Sequence, residues 1–280
     1  MQRFKKLFPL KRCVTFGMIH VGPLPGTPKY QGSVENLIET SCLEAEIFKK
    51  CSIDAVIIEN MHDVPYIHHS KITPEVTAMM TRICSAVRQL LPRSIKCGVQ
   101  ILASANKEAL AVAQAANLDF IRAEGFVFGH VADEGYTDSC AGDLLRYRRN
   151  IQADNIMIFT DIKKKHSSHA ITSDITIEET AKAAEFFLSD GVIVTGMTTG
   201  HAANVEEVSG VKKSVTIPVL VGSGVTSDNV GSFIGKTDGV IVGTHFKKDE
   251  RWENMVSEDK VKKFMDKMMS YANKTAGETF

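Results

Sequence analysis

Short apolar runs alternate with longer amphipathic stretches along almost the whole chain. The runs are "VTFGMIH" from Val14, "DAVIIEN" from Asp54, "KCGVQIL" from Lys96 and "DFIRAE" from Asp119, then "NIMIFTDIK" from Asn155, "DGVIVTG" from Asp190, "IPVLVGSG" from Ile217 and "TDGVIVGT" from Thr237. Each has the length and β-branched content of a buried strand. The intervals carry apolar residues at helical spacing, as in "SVENLIETSCLEAEIFKKC" from Ser33 and "TIEETAKAAEFFLSD" from Thr176. Thr176 with Glu179 makes a capping box, Thr73-Pro74 opens a second helix with a cap and a first-turn proline, and "SDNVGSFIG" reads as a short helix. Asp54, Asp119, Asp190 and Asp238 each stand just before a run, so one helix-to-strand turn recurs. Eight βα units in 280 residues predict a single (β/α)8 barrel over 1–280, with 1–13 as a short basic lead-in. A doubly wound open sheet is the alternative, but no GxGxxG follows the first run.

Three intervals that follow strands are long: residues 61–72, 125–141 and 164–175. In a barrel they crowd the C-terminal face, where active sites are built. The last two runs both end in glycine: Gly222, Ser223 and Gly224 after the seventh, Gly243 and Thr244 after the eighth. A bare backbone there lets main-chain N–H groups approach an anion, and these two loops are where such barrels hold phosphate. The class predicted is therefore a TIM barrel of the phosphate-binding type, with Lys247 as a rim charge.

The period of two along a strand selects the polar groups that share a face. Asp161 and Lys163 at the end of the fifth run form a candidate proton-transfer pair, or a structural ion pair; Arg122 and Glu124 repeat the pattern on the fourth. His20, Asn60, Asp63 and Gln100 end or follow the first three runs as candidate substrate-binding groups, beside Glu59. The catalytic candidates are Asp161, Lys163 and Glu124; the substrate-binding candidates are His20, Asn60, Asp63, Gln100 and Arg122. His166 and His169, three apart in "HSSH", read as a solvated pair rather than metal ligands; no metal set is specified, although the rim Asp, Glu and His residues are compatible with Mg²⁺, and no cofactor is identified.

Composition narrows the partners. Lys+Arg and Asp+Glu balance at 33 each, which gives no basic surface for a nucleic acid polymer. No apolar stretch approaches the roughly 20 residues of a membrane span. The six cysteines include no CxxC pair and read as small hydrophobes of a reducing compartment. The expected location is cytoplasmic; the basic, acid-free "MQRFKKLFPLKR" leaves a mitochondrial matrix location as the alternative. A homo-oligomer stays open.

Several stretches resemble the BtpA family. They include "GMIHVGPLPGTPKY" from Gly17, "IIENMHDVPY" from Ile57, "FIRAEGF" from Phe120, "DIKKKHSSH" from Asp161, "VTGMTTG" from Val194, "VLVGSGVTSDNV" from Val219 and "DGVIVGTHFK" from Asp238. The resemblance covers nearly the whole chain and implies a barrel related to phosphate-binding barrels. It implies two functions: chemistry on a phosphorylated small molecule, such as a sugar phosphate or a nucleotide-like compound, by an isomerase, lyase or hydrolase; or a non-catalytic assembly factor of the photosystem I biogenesis type. After the third strand, Ala103, Ser104 and Ala105 depart from the Asn-Asp pair frequent in the family.

Overall fold

The computed structural model describes residues 1–9, 13–196 and 202–277. The end of the lead-in (10–12) and residues 197–200 of "VTGMTTG" lie outside the described residues. The strands are β1 (Val14–His20), β2 (Ala55–Glu59), β3 (Lys96–Gln100), β4 (Phe120–Ala123), β5 (His130–Ala132), β6 (Gly135–Thr137), β7 (Met157–Ile162), β8 (Ser167–Ser168), β9 (Gly191–Val194), β10 (Val219–Val221) and β11 (Gly239–Val242). Eight of them, β1, β2, β3, β4, β7, β9, β10 and β11, close in chain order into a parallel barrel. The helices are α1 (Gln2–Leu7), α2 (Val34–Lys50), α3 (Pro74–Leu90), α4 (Asn106–Ala115), α5 (Ala141–Asn150), α6 (Ile177–Phe186), α7 (Val205–Ser214) and α8 (Glu258–Gly277). Among the described residues no helix is long and apolar enough to cross a membrane.

The recurring Asp has one job at all four places. Asp54 accepts the amide of Thr15 at 2.9 Å, Asp119 that of Cys97 at 2.9 Å, Asp190 that of Ile158 at 2.9 Å and Asp238 that of Val219 at 2.8 Å. Each carboxylate satisfies an amide at the start of the preceding strand, where the barrel ladder has run out of partners. Thr176 and Glu179 form their capping box. The stretch "SDNVGSFIG" does not become an α-helix; only a 3₁₀ turn forms at Val230–Ser232. Thr226 Oγ1 accepts the amides of Asp228 and Asn229 while Asn229 Oδ1 accepts that of Thr226, the bonds of a helix N-terminus, but the turn is not continued and Gly235 follows at a left-handed φ of +80°. Two long intervals also hold more order than loops: β6, β5 and β8 pair as an antiparallel sheet that joins the segment after β4 to the segment after β7.

Inward side chains fill the lower barrel with Phe16, Ile57, Phe120, Phe159, Ile193, Leu220 and Ile241. Phe120 crosses the axis 5.5 Å from Phe16 and 5.3 Å from Phe159, ring centre to ring centre. Gly98 leaves room for it, since a β-carbon there would lie 2.1 Å from the Phe120 ring. The lead-in closes the bottom: Phe4 packs 6.0 Å from Phe159 and Phe8 5.5 Å from Phe16. Phe4 and Phe8 thus belong to the core, with Leu7 packed against them. Phe8→Ala is expected to lower stability by about 3–5 kcal/mol, as a buried ring replaced by a cavity does; a urea midpoint equal to wild type would show that the barrel floor closes without that ring.

Candidate functional site

The same alternation that makes the floor apolar makes the mouth charged. The last inward positions are His20 on β1, Glu59 on β2, Gln100 on β3, Arg122 on β4 and Asp161 on β7, followed by Gly222 and Gly243 just beyond β10 and β11. Above them lies a cavity of about 470 Å³, bounded also by Lys164, Lys165, Trp252 and the Asp133-Glu134 turn between β5 and β6.

Besides Asp133, Glu134 and Glu250 on the surrounding loops, six charged side chains gather at this mouth, and four of them are paired. Arg122 grips Asp161 through Nε (3.1 Å) and Nη2 (3.0 Å). Burial disfavours the guanidinium charge, but Asp161 and Glu59 outweigh it and hold Arg122 protonated. Glu124 receives Lys164 Nζ at 3.2 Å and the amide of Ser104 at 3.1 Å. Burial would raise its pKa, yet Lys164 and Arg122 bring it below the usual carboxylate range. Glu59 and Lys165 are left over. The Glu59 carboxylate is 7% exposed and has no hydrogen-bond partner among the described residues, so burial pushes its pKa up. Lys165 makes no ion pair there, and burial with the neighbouring Arg122 lowers its pKa. Its backbone is fixed by a 3.2 Å bond from its amide to Thr195 Oγ1.

Two neutral groups complete this region. Burial, followed by the charge of Lys247, depresses the His20 pKa and keeps the ring neutral. Its Nδ1 lies 2.9 Å from the Trp252 carbonyl. A carbonyl only accepts, so Nδ1 carries the proton and Nε2 offers its lone pair near Gly243. Gln100 is 2% exposed, and its Oε1 has no partner. A buried acceptor without a donor is costly to the protein alone and is a ready contact for a ligand.

Both glycine loops line this one cavity. The amides of Gly224, Gly243 and Thr244 have no protein acceptor among the described residues. Gly224 holds a left-handed φ of +62°. Gly222 differs, because its amide donates to the Val194 carbonyl at 2.8 Å and extends the β9–β10 ladder. It must be glycine for space: a β-carbon would stand 2.5 Å from Ile193 Cγ2.

The BtpA family profile matches residues 11–270. The chain belongs to the BtpA family. An uncharacterised mitochondrial protein of Caenorhabditis elegans is 48% identical over 263 residues, covering 93% of this chain and 94% of the relative. The photosystem I biogenesis protein BtpA of Synechocystis is 30% identical over 253 residues, covering 90% and 86%. Among solved structures, thiamine phosphate pyrophosphorylase from Pyrococcus furiosus superposes with a TM-score of 0.58 at 14% identity, over 92% of this chain and 96% of that one. A geranylgeranylglyceryl phosphate synthase from Thermoplasma acidophilum, in complex with sn-glycerol-1-phosphate, gives 0.56 at 15% identity, over 96% and 97%. At such identities the likeness is one of fold.

Not every residue expected at the site faces the main cavity. His20, Gln100, Arg122, Glu124, Gly222, Ser223, Gly224, Gly243 and Thr244 line it. Asp161 touches it only through Arg122. Lys163 leaves the alternation, because its φ is +42°, and its Nζ donates to the Thr172 carbonyl at 3.0 Å. Together with Asp161 it borders a separate cleft of about 20 Å³. Asn60 and Asp63 tie loops: Asp63 accepts the Leu24 amide (2.8 Å) and Asn60 Nδ2 (2.9 Å), while Asn60 Oδ1 accepts the Leu102 amide (2.8 Å). Lys247 is not a rim charge, since it is buried against Glu44 of α2 at 2.8 and 2.9 Å. Lys164 and Lys165 went unselected in the run "KKK", although they are the lysines that reach the main cavity.

Because burial raises the Glu59 pKa, the folded state holds that proton more tightly than the unfolded chain. Glu59 therefore favours folding below the unfolded carboxyl pKa, and this contribution is lost as pH rises through the higher folded value. Glu59→Gln is expected to stabilise the protein at neutral pH, by on the order of 1–3 kcal/mol for removal of an unsatisfied buried group. The gain should shrink on acidification across that window. Urea midpoints at a series of pH values test this, and a variant less stable than wild type at neutral pH would contradict it.

Proposed function

We propose that this BtpA-family barrel is an enzyme acting on a small phosphorylated metabolite, a sugar phosphate or a nucleotide-like compound. The observation that carries the reading is the coexistence, in one cavity, of three main-chain amides without acceptors and a buried carboxylate without a donor among the described residues. Gly224, Gly243 and Thr244 supply positive dipole ends for the phosphate, with Ser223 beside them. Glu59 carries proton transfer. His20 Nε2, Gln100 Oε1 and Arg122 orient the rest of the molecule. Asp161 and Glu124, read from the sequence as acid–base groups, hold Arg122 and Lys164 in place. Isomerase, lyase and hydrolase chemistry all fit this set.

The name of the Synechocystis relative supports a second reading, an assembly factor that uses the barrel as scaffold. A scaffold has no use for unsatisfied polar groups inside the barrel mouth, which cost stability and contact no surface partner. The mitochondrial name of the Caenorhabditis elegans relative favours the mitochondrial matrix over the cytoplasm as the compartment.

Thermal-shift measurements against sugar phosphates and nucleotides, with their dephosphorylated forms as controls, test the reading. A ligand at about 100 times its Kd adds about 2.7 kcal/mol to stability. Shifts are expected with the phosphorylated members alone. Gly243→Ala is the matching variant: the new β-carbon meets ordinary contacts, 3.4 Å to Met18 and 3.6 Å to His20 Nε2. The fold should persist while the shift disappears. Silence across the panel for wild type would leave the scaffold reading.

A further inference from the structure

Among the described lysines at or near the mouth, Lys163 is held by the Thr172 carbonyl and Lys164 and Lys247 by carboxylates, with Lys165 as the departure. Lys164 next to it is held by Glu124 at 3.2 Å and stands 3.7 Å from Glu134. Lys247 is locked to Glu44. Lys165 lines the cavity with neither an ion pair nor a hydrogen bond to its amine among the described residues, and the Arg122 guanidinium is a close cationic neighbour. Glu59 lines the same cavity, buried and without a donor. An amine kept from ion pairing beside another cation is disposed to be neutral, and a neutral amine is a nucleophile for carbonyl carbon.

We infer that Lys165 forms a Schiff base with the carbonyl carbon of a phosphorylated aldehyde or ketone, with Glu59 as the proton carrier. The inference rests on the phosphorylated-substrate reading and narrows it to carbonyl compounds. In the first step the Lys165 lone pair makes a C–N bond. The C=O π pair moves to oxygen, which takes the proton of Glu59. The carbinolamine nitrogen returns one proton to the Glu59 carboxylate. The hydroxyl then takes that proton and leaves as water while the nitrogen lone pair closes the C=N bond. The sum is carbonyl plus amine plus one proton giving a protonated imine and water. The imine nitrogen withdraws electrons from the adjacent carbon, so a neighbouring C–H or C–C bond becomes cleavable.

Borohydride trapping tests this. The probe is glycolaldehyde phosphate, with glycolaldehyde as its unphosphorylated control, and the adduct is located by peptide mass spectrometry. One reduced adduct on Lys165 is expected, with loss of that adduct in Lys165→Arg and a melting midpoint showing that the variant is folded. No adduct, an adduct shared evenly among surface lysines, or one on Lys164 would overturn the inference. If phosphorylated ligands shift the wild-type melting midpoint but no adduct forms, Lys165 is a charged phosphate clamp and the amine chemistry fails while the phosphate seat survives. If glycolaldehyde labels Lys165 as well as its phosphate does, the amine chemistry stands and the phosphate seat fails.

Discussion

Charge is expensive inside a closed barrel unless another charge answers it. The top layer of this barrel is organised around that constraint. Arg122 with Asp161, and Lys164 with Glu124, are two buried pairs that neutralise four charges and leave the positions of the partners nearly fixed. Their value for the protein is less in net stability than in placement, because a bidentate guanidinium–carboxylate contact has few alternative geometries. Glu59 and Lys165 gain their chemical character only because the pairs have already claimed the other groups. Without Asp161, Arg122 would be free to take Glu59, and that unsatisfied carboxylate would become an ordinary salt-bridge member.

The lower barrel makes that top layer affordable. Strand alternation places Phe16, Phe120 and Phe159 directly beneath the charged layer, and α1 closes the floor with Phe4 and Phe8. Four Asp residues tie the barrel's lower edge by the same bond each time. The rigid end is thereby separated from the end that carries long loops, and the sheet of β5, β6 and β8 brings the Glu134 carboxylate over Lys164.

The sequence was legible wherever a period continued unbroken. The barrel, its strand order and the Asp-led turns follow from apolar spacing, and His20, Gln100 and Arg122 follow from a period of two. The reading failed where the period stopped. Ile162 ends β7, Lys163 turns to a φ of +42°, and from that point parity no longer says which way a side chain faces. The choice among three consecutive lysines needed the backbone. Lys247 failed for another reason: its partner Glu44 lies 203 positions away on α2, and nothing local announces it. Asn60 and Asp63 have the composition of a site, but their bonds to the Leu24 and Leu102 amides make them loop fasteners, a role that only tertiary contacts distinguish.

The removal of Lys247 from the mouth has a consequence for how a phosphate would be held. The seat proposed at Gly224, Gly243 and Thr244 is then made of neutral donors whose positive ends are fixed by the backbone. Such donors need no counter-ion in the free protein, whereas a lysine at the same place would attract Glu59 or Glu250 and close the cavity on itself. Gly222 marks the border between seat and charged half. A β-carbon there would come within 3.5 Å of Arg122 Nη2 and 2.5 Å of Ile193 Cγ2. The residue is glycine on account of Ile193 rather than Arg122, since 2.5 Å is a clash and 3.5 Å an ordinary contact. Its own amide donates to the Val194 carbonyl, so the donors left facing the cavity are those of Gly224, Gly243 and Thr244 among the described residues.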